Sequence, residues 1–162
     1  MTPLRLCFVC MGNICRSPTA EAVMAYHVTR EGLGDRVVVD SAGTGGWHVG
    51  DPPDRRAHAE AQRRGVAMEG AARQFTHGDF ARFDLILAMD RDNLGDLLRL
   101  APDETARDKV HLLRSFDPDA AGDLDVPDPY YGGPEGFATV FDLVDAACRG
   151  LLAHVRTAPP AP

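Results

Sequence analysis

The sequence lacks an excess of positive charge. Its 17 Lys and Arg face 24 Asp and Glu, for a formal net charge of -7 at pH 7. That balance excludes nucleic acid and anionic membrane as expected partners, and the charge reads as a solvated acidic surface. No apolar run at the N-terminus is long enough for a secretory leader or a membrane span, so neither is expected. A disulfide framework is missing too. Cys7, Cys10 and Cys15 crowd into one short stretch, with Cys148 far away. Such thiols fit a reducing, cytoplasmic compartment. Their spacing matches no tetrahedral zinc finger and no histidine pair follows, so no metal or other cofactor is expected. The aspartates at 117, 119, 123, 125 and 128 lack the closing glutamate of an EF-hand.

What is present fits one domain. A chain of 162 residues can bury a real core. We assign residues 1–156 to that domain and 157–162 to a proline-rich, disordered tail. Short apolar, β-branched runs at 4–9, 36–41, 83–89 and 110–113 read as strands. Helical spacing covers 19–30 and 54–64, the latter closed by Gly65. A further helix, capped by Asp90, turns Leu94, Leu97 and Leu98 inward. The last helix starts at Pro134, with Phe137, Val140, Phe141, Val144, Cys148, Leu151, Leu152 and Val155 as its core stripe. Strands alternating with helices imply a parallel sheet with right-handed crossovers. Ligands of such sheets sit at the carboxyl ends of strands, where Cys10 lies.

The stretch Cys10-Met11-Gly12-Asn13-Ile14-Cys15-Arg16-Ser17-Pro18 joins the first strand to the first helix. Ser17 reads as the N-cap and Pro18 as the first helical residue. Amides at a helix N-terminus favour an anion. The same amides, Arg16 and a Ser17 hydrogen bond favour a thiolate at Cys10, whose free thiol is a poor nucleophile. The Arg16 guanidinium fork fits two phosphate oxygens. Gly12 allows a tight turn, and Asn13 tolerates a left-handed conformation and braces the loop. A merely structural Cys10 would leave Gly12, Asn13, Arg16 and Ser17 unexplained. The loop does not end in the Gly-Lys-Ser/Thr of a nucleotide-binding Walker loop.

Two further stretches add to it. Residues 41–53 are rich in Gly and Pro and hold the lone tryptophan, Trp47. An indole there is either core packing or a wall for a flat substrate, and we favour the wall. His48 reads as a solvated loop residue, and Arg55, Arg56, Arg63 and Arg64 as a solvated helix face. Asp128-Pro129-Tyr130-Tyr131 places a carboxylic acid in a stiff turn beside two tyrosines, suited to protonating a leaving group.

The stretch from Cys10 to Pro18 resembles the signature loop of the low-molecular-weight protein tyrosine phosphatases, a cysteine and an arginine with five residues between. Asp40-Ser41-Ala42-Gly43 with Trp47, and Asp128-Pro129-Tyr130, resemble that family's second loop and acid loop. The resemblance spans nearly the whole chain and implies an α/β fold, a four-stranded parallel sheet with helices on both faces and the phosphate-binding loop after the first strand. It implies a phosphotyrosine-bearing protein as substrate and a phosphocysteine intermediate at Cys10. Phosphate binding falls to Arg16 and to the loop residues Met11, Gly12, Asn13, Ile14, Cys15 and Ser17. Asp128 is then the general acid and base, and Trp47, Tyr130 and Tyr131 form the rim. Ser41 buttresses Asn13, and Cys15 protects an oxidised Cys10 by forming a disulfide with it.

One position departs from the family. A bracing histidine commonly stands four residues before the Gln of Ala72-Arg73-Gln74, and here that position is Gly70, with His77 as a weak substitute. Three rivals are weaker. An arsenate reductase needs resolving cysteines beyond the loop, and Cys148 lies on a core face. Phosphoarginine phosphatases of this family carry Thr where Ile14 stands. A non-catalytic phosphate-binding module would tolerate loss of Cys10 or Asp128. The oligomeric state is not legible.

Overall fold

The computed structural model describes residues 2–157. The apolar runs form four parallel strands: β1 (Leu4–Cys10), β2 (Val37–Gly43), β3 (Leu85–Ala88) and β4 (Val110–Leu112). Their order in the sheet is β2-β1-β3-β4. The chain winds one way from β1 to β2 and the other way from β1 to β3. That reversal opens a crevice at the carboxyl end of β1, and Cys10 is the last residue of that strand.

Alternation along β1 splits the core into two layers. Leu6 and Phe8 share one face with Leu87 and Val37, packed on α1 (Arg16–Arg30), α2 (Arg55–Arg63) and α6 (Pro134–Thr157). Cys7 and Val9 share the other face with Ile86, Ala88 and Val110. Phe80 of α3 (Asp79–Arg82), Leu97 of α4 (Arg91–Leu100) and Ala106 of α5 (Glu104–Arg107) cover that side. Helices therefore flank both faces. All eight stripe residues expected on α6 are buried, and the Cys148 thiol donates to the Ala20 carbonyl of α1.

Several boundaries differ from the sequence expectations. The first helix begins at Arg16, with Cys15 as its N-cap. Ser17 therefore lies within the first turn and caps nothing, because its hydroxyl is taken up by Asn13 and Cys10. Strand β2 runs on to Gly43, since residues 41–43 stay paired with Phe8–Cys10. Gly43 is required there: a Cβ would lie 2.7 Å from the Met11 carbonyl oxygen. Strand β3 is shorter than expected, its flanks Phe83 and Met89 being buried outside the ladder. Of the three leucines expected to face inward on α4, Leu97 is buried and Leu94 and Leu98 are half-buried. The short α3 and α5 and a 3-10 turn at Leu113–Phe116 were not legible. Helix α2 ends as expected. Gly65 takes φ +74°, its N–H donates to the Gln62 carbonyl, and the Val66 N–H donates to that of Ala61. Thr157 is the last residue of α6; the rest of the expected tail lies outside the described residues.

Candidate active site

The loop after β1 is held by Asn13, whose φ of 57° is the only positive value of a non-glycine residue among those described. Its side chain has one orientation open to it. Oδ1 accepts the Arg73 backbone N–H at 3.0 Å. Nδ2 donates to Ser17 Oγ at 2.8 Å and to Ser41 Oγ at 3.0 Å. A flipped amide would set donor against donor at Arg73. Ser41 Oγ in turn donates to Glu21 Oε1 at 2.5 Å. Burial pushes the Glu21 carboxyl above its ordinary range, against the opposing pull of the Ser41 hydrogen bond.

Cys10 and Arg16 meet inside this frame. The Asn13 backbone N–H donates to Cys10 Sγ at 3.3 Å, and Ser17 Oγ lies 3.0 Å from the same sulfur. The Arg16 side chain is 4% exposed. Its Nη1 donates to Asp90 Oδ2 at 2.6 Å and to the Val126 carbonyl at 2.9 Å. Burial pulls the guanidinium pKa down, but the Cys10 sulfur, Asp90 and Asp128 outweigh it and the net direction is up. Arg16 Nη2 faces Asp128 Oδ2 at 3.8 Å. Asp128 Oδ1 accepts the Tyr130 N–H, which fixes the carboxylate in its turn. Asp125 is directed elsewhere: it accepts the Arg91 N–H at the start of α4.

These groups surround a cavity of about 160 Å³, lined by Cys10, Met11, Gly12, Ile14, Cys15, Arg16, His48, Asp128, Tyr130 and Tyr131. It brings together Cys10, Arg16, Asp128, Tyr130 and Tyr131, all singled out from sequence. Asn13, Ser17 and Ser41 stand behind them as braces. Trp47 does not line it. The indole is 75% exposed and folds back over Gly45, where a Cβ would lie 1.8 Å from its ring. His48 takes the place at the wall. Its ring packs on Gly12, where a Cβ would meet it at 3.1 Å, and Nδ1 pairs with Asp51 at 3.2 Å.

Sequence reasoning also missed three supports. Asp90 was read as a cap, which its Oδ1 is for Asn93 N–H, but its other oxygen holds Arg16. Arg56 is not a free solvated residue. It pairs with Asp54, donates to the Tyr130 carbonyl and lies over the Phe137 ring at 4.7 Å, tying the Asp128–Tyr131 turn to α2 and α6. Glu21 ends the hydrogen-bond chain from Ser41. Gly70 has φ +99° and lines a second cavity of about 200 Å³ with Asn13, Glu21 and Ser41. His77 is exposed. The loop's braces are instead the Arg73 N–H and Ser41.

Comparison with known proteins shows the family. A family model described as low molecular weight phosphotyrosine protein phosphatase matches residues 5–159. The chain belongs to that family. It is 56% identical over 153 residues to a low molecular weight protein-tyrosine-phosphatase of Streptomyces coelicolor, covering 94% of this chain and 93% of the relative. It is 46% identical over 146 residues to the low molecular weight phosphotyrosine protein phosphatase of Homo sapiens, covering 90% and 91%. A crystal structure of a protein tyrosine phosphatase from Entamoeba histolytica, with Hepes in its active site, superposes with a TM-score of 0.91. That structure is 39% identical, with 94% of this chain and 97% of that one covered. Among the described residues, no helix is long and apolar enough to cross a membrane.

Proposed function

We propose that this member of the low molecular weight phosphatase family hydrolyses phosphotyrosine monoesters on protein substrates through a phosphocysteine at Cys10. The observation that carries the reading is the convergence of Cys10, Arg16 and Asp128 on one cavity. In the first step Cys10 Sγ attacks phosphorus, a sulfur–phosphorus bond forms and the phosphorus–phenolate bond breaks. Arg16 and the N–H groups of loop residues 11–17 take the equatorial oxygens, whose charge they match before the reaction begins. The Asp128 carboxylic acid gives its proton to the departing phenolate oxygen. In the second step Asp128, now a carboxylate, takes a proton from water. The water oxygen attacks phosphorus, the sulfur–phosphorus bond breaks and inorganic phosphate leaves. The departing thiolate finds two donors in place, the Asn13 N–H and the Ser17 hydroxyl.

Tyr130 and Tyr131 stand at the cavity mouth as walls for the phenyl ring, together with His48. Cys15 lines the same cavity as Cys10, which supports its role as a protective redox partner. The free, buried cysteines fit a reducing cytoplasm. The test is turnover of p-nitrophenyl phosphate with chelator present, beside phosphoarginine as the rival substrate. The expected result is metal-independent turnover of the aryl ester, little of phosphoarginine, and none of either by Cys10→Ser. A Cys10→Ser protein with substantial activity would remove the nucleophile from the scheme.

A further inference from the structure

The group that delivers the proton sits on an irregular part of the chain. Among the described residues, no helix or strand lies between Phe116 and Pro134, so no ladder fixes the backbone of Asp128. Its side chain is 40% exposed, and its Oδ2 stands 3.8 Å from Arg16 Nη2, beyond hydrogen-bond reach. Yet a general acid has to stay within that reach of the leaving oxygen. Two arginines outside the cavity grip the segment, one on each side of Asp128. Downstream, Arg56 Nη2 donates to the Tyr130 carbonyl at 3.0 Å. Asp54 holds that guanidinium, accepting its Nε at 3.2 Å and its Nη2 at 3.1 Å. The Asp54 N–H in turn donates to the Ile14 carbonyl at 2.7 Å. The start of α2 therefore grips the phosphate loop and the Asp128 segment together. Upstream, Arg114 Nη1 donates to the carbonyls of Asp123 and Asp125, at 2.9 and 3.0 Å. The next residue, Val126, is fully buried, and its N–H donates to the Met89 carbonyl just beyond β3 at 2.8 Å.

We propose that Arg56 and Arg114 are positioning residues for the general acid: they clamp the backbone on both sides of Asp128 and set its carboxyl against the phosphate loop. The proposal rests on the phosphatase reading above. Hydrogen bonds from a guanidinium are charge-assisted and directional, so each clamp resists rotation of the segment. Neither arginine lines the cavity, and neither touches the phosphate. Without Arg56, the Asp54 N–H still holds Ile14. Without Arg114, Val126 keeps its bond to Met89, and Arg16 keeps the Val126 carbonyl. The nucleophile and the phosphate-binding groups therefore stay in place, and the acid is the group displaced. A displacement of about 1 Å costs up to about 10²-fold in the step that needs the group.

The test is a double-mutant cycle read on two esters. kcat/KM is measured on a phosphotyrosine peptide, whose phenol is a poor leaving group, and on dinitrophenyl phosphate, whose phenol departs without a proton. Methionine keeps part of the arginine stem and none of its donors. Arg56→Met and Arg114→Met should each lose roughly 10–10²-fold on the peptide and much less on dinitrophenyl phosphate. In an Asp128→Asn background the same substitutions should cost less than about twofold more on the peptide, because the group they position is already gone. A smaller folded fraction lowers both rates alike, so the ratio between the esters is the readout. An unchanged ratio in either variant, or a full loss that persists beside Asp128→Asn, overturns the proposal, while wild-type turnover of both esters leaves the phosphatase reading standing. A wild-type protein inert on both esters overturns both.

Discussion

Asp90 offers the sharpest test of how the site is held. Its carboxylate answers two donors at once: Oδ1 takes the Asn93 N–H at 2.8 Å and Oδ2 takes Arg16 Nη1 at 2.6 Å. Asparagine has the same shape but one acceptor, so Asp90→Asn can satisfy only one of them. The charged donor is the stronger competitor, and the cap of α4 is the bond lost. A lost cap costs about 1 kcal/mol, and exchanging an ion pair with a buried guanidinium for a neutral hydrogen bond costs roughly 1–3 kcal/mol more. The sum, about 2–4 kcal/mol, lowers Tm by roughly 4–16 °C in a chain of this size. Arg16 stays charged and keeps the Val126 carbonyl and one neutral acceptor, but it is held less firmly than by a carboxylate, and a misplacement that follows costs up to about 10²-fold in kcat/KM. Thermal melts with and without inorganic phosphate, beside aryl phosphate kinetics, separate the two effects. Phosphate should raise Tm less in the variant than in the wild type. A variant that melts within about 2 °C of wild type and turns over within about twofold would show that the carboxylate neither caps α4 nor positions Arg16.

Two further outcomes follow from the site. Asp128→Asn should lose roughly 10²–10⁴-fold on phosphotyrosine and much less on an ester of an acidic phenol, because only the poor leaving group needs a proton; equal losses on both would make Asp128 structural. Burial, reinforced by Asp54, Cys10 and Asp128, pushes the Cys15 thiol up to about 12, so iodoacetate at neutral pH should spare Cys15. Once peroxide has oxidised Cys10, linkage of Cys10 to Cys15 should quicken by about tenfold for each unit that pH rises toward that value, as the attacking thiolate fraction grows. A linkage rate flat with pH, read by peptide mapping, would exclude Cys15 as the attacking group.

The sheet was legible because its strands are buried runs that local pattern describes well, such as residues 4–9 and 83–89. The end of β2 was not. Ser41-Ala42-Gly43 has weak strand preference, and it is extended only because β1 lies beside it. Ser17 misled for a related reason. Serine before a helix is a good cap by local rule, but this hydroxyl is taken by a thiol and an amide in its own loop. Trp47 and His48 are adjacent, and either ring could have turned toward the cavity. The space over Gly45 decides it by accepting the indole. That space is a property of the folded loop and leaves no trace in spacing or periodicity.

The phosphate loop shows most clearly where local reading ends. Its residue types are contiguous and were readable, yet contacts distant in sequence hold its conformation. Asn13 is tied to Ser41 and to Arg73, Arg16 to Asp90 and to Val126. A left-handed asparagine is strained by roughly 1 kcal/mol or more, and such strain persists only where the surroundings over-determine it. Here two independent anchors do so, the Arg73 N–H at one end of the amide and the Ser17 and Ser41 hydroxyls at the other. Arg73 is itself clamped by Asp40 and by the fully buried Asp79. This explains how glycine at position 70 is tolerated. The orientation of Asn13 is fixed by a backbone donor whose place depends on the short pairing of Gly43 with Gln74, and no side chain at position 70 is needed to hold it. The loop's readiness to receive an anion is therefore a property of the whole sheet edge, including β2 and the segment that pairs with its end.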